Sequence, residues 1–420
     1  MSVANDSTAV DVPEAGATGG LRSSLSAYIG RVRGGDIGSL PAVLGLIVLV
    51  VLFGVLESNV FLSTLNFANL INQGAAIIVL AMGLIFVLLL GEIDLSAGFA
   101  AGTSAAVMAV TLNNLGFPWP LALVAAIATG VVIGLLLGLL VARLGIPSFV
   151  VTLAAFLALQ GVMLWIIGEG GTIPIRNDAL LVIMNGNMPV ALGWLLAGLV
   201  TGLFGLITMR RILKRRRLGL ASEAISVWLI KVLSLGILLG LATYALNQER
   251  QRAAAKFVIQ GVPWVVPLVI VLLVVLTFVT TRTAFGRHIY AVGGNAEAAR
   301  RAGISVARVK IACFILCSAL AALAGVLIAS RDNSVSPTTG GAQTLLFAVG
   351  AAVIGGTSLF GGRGKIRDAI IGGLVIAVIA NGLPLITEQS AVQFVVTGLV
   401  LLLAASVDAI SRRKSASAGR

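Results

Sequence analysis

Ile77-Ile-Val-Leu-Ala-Met-Gly-Leu-Ile-Phe-Val-Leu-Leu-Leu-Gly-Glu-Ile-Asp-Leu-Ser-Ala-Gly98 decides the fold. An unbroken apolar run from Ile77 to Leu90 stops on two carboxylates, Glu92 and Asp94. Continuous rather than alternating apolar residues read as a membrane helix, because a barrel strand alternates and is about ten residues long. Carboxylates at membrane depth cost several kcal/mol unless they are solvated, paired or capped. Asp94, followed by Leu95-Ser96, is placed to cap the next helix with a side-chain oxygen. Two readings are compatible: a capped turn between helices, or a broken helix whose polar tip, with Glu92, Asp94 and Ser96, faces an aqueous passage.

Outward from that stretch the pattern repeats. Apolar windows lie at about 40–57, 69–90, 97–113, 118–143, 147–167, 190–209, 224–246, 263–281, 311–330, 345–360, 368–388 and 391–407. The windows 97–113, 345–360 and 368–388 are short or interrupted by glycine. Hydrophobic residues make up 58% of the chain and charged residues 11%, too few to coat a soluble core of this size. The expected fold is all-α and polytopic, with about 10–12 transmembrane helices.

The net charge of +13 has a bilayer explanation. With both termini in the cytoplasm, most of the 29 Lys and Arg fall on the inner side, above all in Arg210–Arg217, the 282–310 loop, the turn at Arg363, Lys365 and Arg367, and the C-tail. That is the positive-inside bias, and it needs no nucleic-acid partner. Residues 1–36 read as a disordered cytoplasmic tail without a signal-peptide pattern, and 411–420 as a basic cytoplasmic tail. The remainder, 37–410, is the membrane domain, with an extra helix pair at about 190–246. Lys231 in that pair reads as a snorkelling side chain, with no acidic mate in a neighbouring span. Segment 247–262, with Gln248, Glu249, Arg250 and Gln251, reads as solvated surface. Cys313 and Cys317, four apart in one apolar window, read as packing residues rather than a disulfide or metal pair.

The polar loop 282–310 carries a short helix. Asn295 suits its N-cap, Glu297 its positive end, Arg300 and Arg301 its negative end, and Gly303 its left-handed termination. About seven residues are too few for a helix to persist alone in water, so it leans on the spans or on a partner. Arg287, Arg300 and Arg301 offer charge-assisted contacts to such a partner. A second glycine-rich turn, Gly355-Gly-Thr-Ser-Leu-Phe-Gly-Gly362, repeats the spacing of Gly91, Leu95 and Gly98. It marks either close packing or a pathway. Asn72, Gln73, Gln160 and Asn381 are polar groups in or beside spans, fit to line a passage or to bond a neighbouring helix. No phosphate-binding loop occurs: Gly361-Gly-Arg-Gly-Lys365 lacks the leading glycine in place and continues with Ile366. Nor is there a His-Glu-x-x-His helix or a Ser/His pair for an intramembrane hydrolase.

Three stretches carry a resemblance: Gly91-Glu-Ile-Asp-Leu-Ser96, Gly286 to Ile304, and Val353 to Gly364. Together they resemble the permeases of bacterial monosaccharide ABC importers, the ribose, xylose, galactose and arabinose branch. The extra basic-linked helix pair is more like the xylose-type members. The resemblance implies an inverted-repeat permease core in the bacterial cytoplasmic membrane, with two permease copies forming the passage. It also implies an ATPase with two nucleotide-binding domains and an extracytoplasmic sugar-binding protein. Arg287, Asn295, Glu297, Arg300, Arg301 and Gly303 would form the ATPase-coupling element; Asn72, Gln73, Glu92, Asp94, Ser96, Gln160 and Asn381 are pathway candidates. The chain would carry no cofactor and no catalytic or metal site, ATP and Mg being bound by the partner. The competing class is a single-chain ion-coupled sugar transporter, which needs buried ionisable groups; only Glu92, Asp94 and Lys231 qualify.

Overall fold

A computed structural model describes residues 40–168, 170–220, 222–250 and 259–417. The expected N-tail, Gln251 and the last three residues of the C-tail lie outside the described residues. Among the described residues the helices are α1 (Leu40–Leu56), α2 (Ser58–Phe61), α3 (Thr64–Leu89), α4 (Ala97–Asn113), α5 (Trp119–Ala142), α6 (Ser148–Ile167), α7 (Asp178–Asn185), α8 (Val190–Arg217), α9 (Ile225–Leu246), α10 (Val265–Arg282), α11 (Ala284–Gly294), α12 (Ala296–Arg301), α13 (Val306–Asp332), α14 (Gly341–Gly355), α15 (Ile366–Ile386) and α16 (Ser390–Ser417). Two short strands, β1 (Ile173–Pro174) and β2 (Ser334–Val335), pair antiparallel. Among the described residues eight helices are long and apolar enough to cross a membrane, and α1, α4, α14 and the start of α16 are shorter apolar helices. The chain is a polytopic all-α membrane protein. The expected C-tail begins inside a helix, since α16 continues to Ser417.

Two compact units divide the chain. The smaller is Ala191–Ala245, the extra helix pair. In it, Trp228 Nε1 donates to Gly205 O (3.1 Å) and to Thr208 Oγ1 (2.9 Å), clamping α9 to α8. Lys231 does have an acidic mate: Glu223, just before α9, accepts from Nζ at 2.7 Å, both side chains about half exposed. Sequence reading missed it because the partner sits outside the span.

The larger unit is built around α3 and α13. From Gly74 to Leu90 every α3 side chain is buried, which is the burial its all-round apolar sequence dictates. Helix α13 packs along α5 through Gly130, Gly134 and Gly138; a Cβ at Gly130 or Gly134 would overlap the α13 backbone. Cys313 and Cys317 are free thiols buried in this core. Segment 247–262 is not wholly solvated surface. Arg250 is buried, and its Nη2 donates to Gly261 O (2.6 Å) and Asn187 Oδ1 (3.2 Å).

The two short helices α4 and α14 begin inside the bundle. Helix α13 is about 40 Å long at 1.5 Å per residue, and it measures depth. Glu92 pairs with Lys310 near the start of α13, Asp94 lies beside Cys317, and Ala101 abuts Gly325. So the extended segment 92–96 runs inward along α13, and α4 starts near its middle. Gly98 meets Gly341 and Leu345, and Gly340 meets the Gly98 backbone, so α14 starts at the same depth. From there the two run apart. Asn113 at the end of α4 donates to Pro174 O in β1 (2.6 Å), and Gly355 at the end of α14 packs on the Asp368 backbone at the start of α15. Their lengths, about 25 and 22 Å, are therefore short of a roughly 30 Å apolar layer because each starts part-way through it.

Candidate functional site: a coupling face and a polar cavity

At the end of the bundle that carries the 282–310 loop, three sequence motifs meet. Thr283 caps α11, its Oγ1 accepting from Gly286 N (3.1 Å), and Ile289 and Val292 on one face are buried. That amphipathic helix was not foreseen, although Phe285, Ile289 and Val292 recur at helical spacing. Gly293 lies where any Cβ would overlap Leu89 O, with Gly362 N within 2.9 Å of it. Gly362 N donates to that same Leu89 O at 2.9 Å, Gly361 packs on Gly91, and Tyr290 Oη donates to Gly364 O at 2.8 Å. Burial, and then the Asp368 carboxylate, push the Tyr290 phenol above its ordinary pKa. Lys310 and Glu92 close the junction as a part-buried ion pair.

Beyond that junction α12 faces outward. Asn295 Oδ1 accepts from Ala298 N (2.9 Å), capping the helix as expected, and Gly303 ends it with a φ of 82°. Glu297 Oε2 pairs with Arg300 (2.8 Å), and Oε1 lies 3.5 Å from Arg301. Ala299 is the buried contact through which this six-residue helix leans on the core. Arg287, Asn295, Glu297, Arg300, Arg301 and Gly303 are all exposed. An exposed, capped, largely cationic surface thus follows directly on α11, whose Gly293 packs on the end of α3 and on the turn between α14 and α15.

The opposite end holds a cavity of about 640 Å³. Asn69, Asn72, Gln73, Ala76 and Ile77 of α3 line it, with Asn185 of α7, Ile328 and Arg331 of α13, Gln343, Thr344 and Phe347 of α14, and Ala380 of α15. Asn66 and Asn381 exchange two amide hydrogen bonds (2.8 and 3.0 Å), and Asn381 Nδ2 also donates to Gln73 Oε1 (3.3 Å). Asn185 Nδ2 donates to Ser330 O (2.8 Å) and Asn333 Oδ1 (2.9 Å). Asn72 Oδ1 is buried with no donor among the described residues, and an unmet acceptor of this kind costs about 1–3 kcal/mol.

Of the seven pathway candidates, Asn72 and Gln73 line this cavity and Asn381 supports Gln73 from behind. Gln160 is exposed on α6, away from it. Glu92, Asp94 and Ser96 lie elsewhere. Asp94 is buried and its Oδ1 accepts from Ser96 N (2.9 Å) and Ser96 Oγ (2.6 Å), so it serves the start of α4, whose N-cap residue Ser96 makes no side-chain cap of its own. Glu92 belongs to the loop-end junction. Asn69, Asn185, Arg331, Gln343 and Thr344 were missed, since they come from four helices far apart in sequence and carry no shared motif.

An apolar helix bundle with a capped loop helix at one end and an amide-lined cavity at the other is the architecture of a multi-pass transport protein. Residues 66–179 and 177–405 match the family model described as branched-chain amino acid transport system / permease component, and the chain belongs to that permease family. Among curated proteins it is 34% identical to the xylose transport system permease protein XylH of Escherichia coli (strain K12), over 99% of this chain and 100% of that one. Its identity to XylH of Haemophilus influenzae is 33%, over 87% and 95% of the two chains. To the ribose import permease protein RbsC of Bacillus subtilis (strain 168) it is 32%, over 91% and 95%. No solved structure matches the chain.

Proposed function

We propose that this protein is the membrane-spanning subunit of an ATP-driven, binding-protein-dependent importer of a pentose, with D-xylose the first candidate. The observation that carries the reading is the exposed α12 surface borne on α11, whose Gly293 makes close backbone contacts with the end of α3 and with the turn between α14 and α15. Similarity to the xylose transport permease over the full length supports the substrate. In this reading the loop end is cytoplasmic, as are both termini, in the cytoplasmic membrane of a bacterium. A separate ATPase with two nucleotide-binding domains binds ATP and Mg and closes on α12. Two copies of this chain form the passage in the lipid bilayer, and an extracytoplasmic protein delivers the sugar. Arg287, Asn295, Glu297, Arg300, Arg301 and Gly303 make the ATPase contact. The opposed α4 and α14, starting at one depth and running apart, agree with two halves of opposite orientation.

The ion-coupled alternative rests on Asp94, a buried carboxylate midway along α13. Asp94 does not line the cavity and commits Oδ1 to Ser96, which is a structural use. Uptake into proteoliposomes separates the two: the importer reading requires ATP together with the partner ATPase, whereas uptake driven by an ion gradient alone would replace it. Within the importer reading, Glu297→Lys and Gly303→Pro abolish uptake while the protein still inserts. Normal uptake by both variants would remove the coupling role from α12.

A further inference from the structure

We propose, resting on the sugar-importer reading, that the permease itself holds a selective binding site for a free neutral monosaccharide in the cavity at the far end of the bundle. The cavity, about 640 Å³, is of the size small-molecule sites have. Its α3 wall runs from Asn69 to Ile77, and past Ile77 the α3 side chains are buried in the core through Leu89. Among the described residues no carboxylate lines it, and its one lining cation, Arg331, is held by the neighbouring Asp332 (2.8 Å). Such a lining selects neither anions nor cations.

What remains is amide chemistry, and its supporting bonds set the polarity of each group. With Gln73 Oε1 engaged by Asn381, Nε2 is the Gln73 atom free to donate. With Asn185 Nδ2 engaged by Ser330 and Asn333, Oδ1 is left to accept. Asn72 lines the cavity beside Gln73 and brings its amide to the same wall. A sugar hydroxyl both donates and accepts, and adjacent hydroxyls meet such a mixed set where a hydrocarbon or a carboxylate does not. Phe347 and Ile328 supply apolar surface for the C–H face of the ring. Helix α14 contributes Gln343, Thr344 and Phe347 from its first two turns and runs at Gly355 into the 356–364 turn that packs on Gly293 of α11, so the site is linked to the loop end through α14 and the turn that follows it. Selection by the permease would then follow selection by the delivery protein.

The test uses the full-length permease in lipid nanodiscs, without partners, and radiolabelled D-xylose binding by scintillation proximity. Saturable binding is expected, weakened at least about tenfold by Gln73→Leu and by Asn72→Leu, and unchanged by Gln160→Leu on the exposed face of α6. Gln73→Glu, which keeps the shape and removes the donor, guards against misfolding and is also expected to weaken binding. Absence of saturable binding to the wild type, or equal binding by all four variants, overturns the proposal. Transport reconstituted with the ATPase and delivery protein separates the levels: ATP-driven xylose uptake that the cavity variants leave unchanged sinks the site alone. No ATP-driven uptake of any pentose sinks the importer reading.

Discussion

Gly293 has no room for a side chain. A methyl group there would press on Leu89 O and Gly362 N, both backbone atoms that cannot rotate away. Gly293→Ala is expected to cost about 1–3 kcal/mol through overpacking and to loosen the junction, read as a lower unfolding temperature in nanodiscs together with reduced uptake. A midpoint equal to wild type would mean the contact is not as close as described. Glu92 and Lys310 make a second residue-scale test. Either Glu92→Gln or Lys310→Met strands a part-buried charge or acceptor, so each single change destabilises more than the pair changed together; a double-mutant cycle reads the coupling directly. Additive effects would show that the pair is not formed. Lys231 is the contrast. Its partner Glu223 is about half exposed, so the pair contributes at most about 1 kcal/mol, and Lys231→Ala should leave uptake within error of wild type.

Elements tell how far the sequence could be read. The twelve apolar windows and the helices agree closely, because a run of about 20 apolar residues has few other uses. The cap and stop of α12 were also legible, since Asn295 and Gly303 act within one turn of themselves. Asn295→Ala should cost about 0.5–2 kcal/mol of local stability, seen as faster hydrogen exchange over 296–303 with the spans unaffected. If exchange there stays at the wild-type rate, Asn295 is not the cap. Less legible was where α4 and α14 start. Their windows look like short spans, and only the meeting of Gly98 with Gly340 and Gly341 shows that both begin part-way through the bundle. Helix α11 was missed because Gly286, Gly293 and Gly294 lower its intrinsic propensity, while burial of Ile289 and Val292 outweighs them.

At the scale of the molecule, the two ends of the larger unit do different work. The loop end gathers the residues that the sequence motifs marked, because those motifs encode close backbone junctions at glycines. The far end is lined from five helices, α3, α7, α13, α14 and α15, with amides from α3, α7 and α14, and only their packing brings those residues together. That is why the capped loop helix could be located from sequence and the cavity could not, save for Asn72, Gln73 and the supporting Asn381. Between the ends run α3, buried over most of its length, and α14, which lines the cavity at one end and leads at the other into the turn that packs on the junction. A rigid-body push on α11 and α12 would reach the cavity through these two helices. The central claim is therefore mechanical: a partner seats on α12. The most direct measurement introduces Ala302→Cys, an exposed position beside the helix, into a chain whose Cys313 and Cys317 are both buried. Cross-linking is then followed during ATP turnover in membranes that contain the partner ATPase. One ATPase-sized adduct is expected, its yield changing between nucleotide-bound and nucleotide-free conditions; full labelling of the introduced thiol by a soluble reagent, with no adduct under any condition, would contradict the seating of a partner on α12.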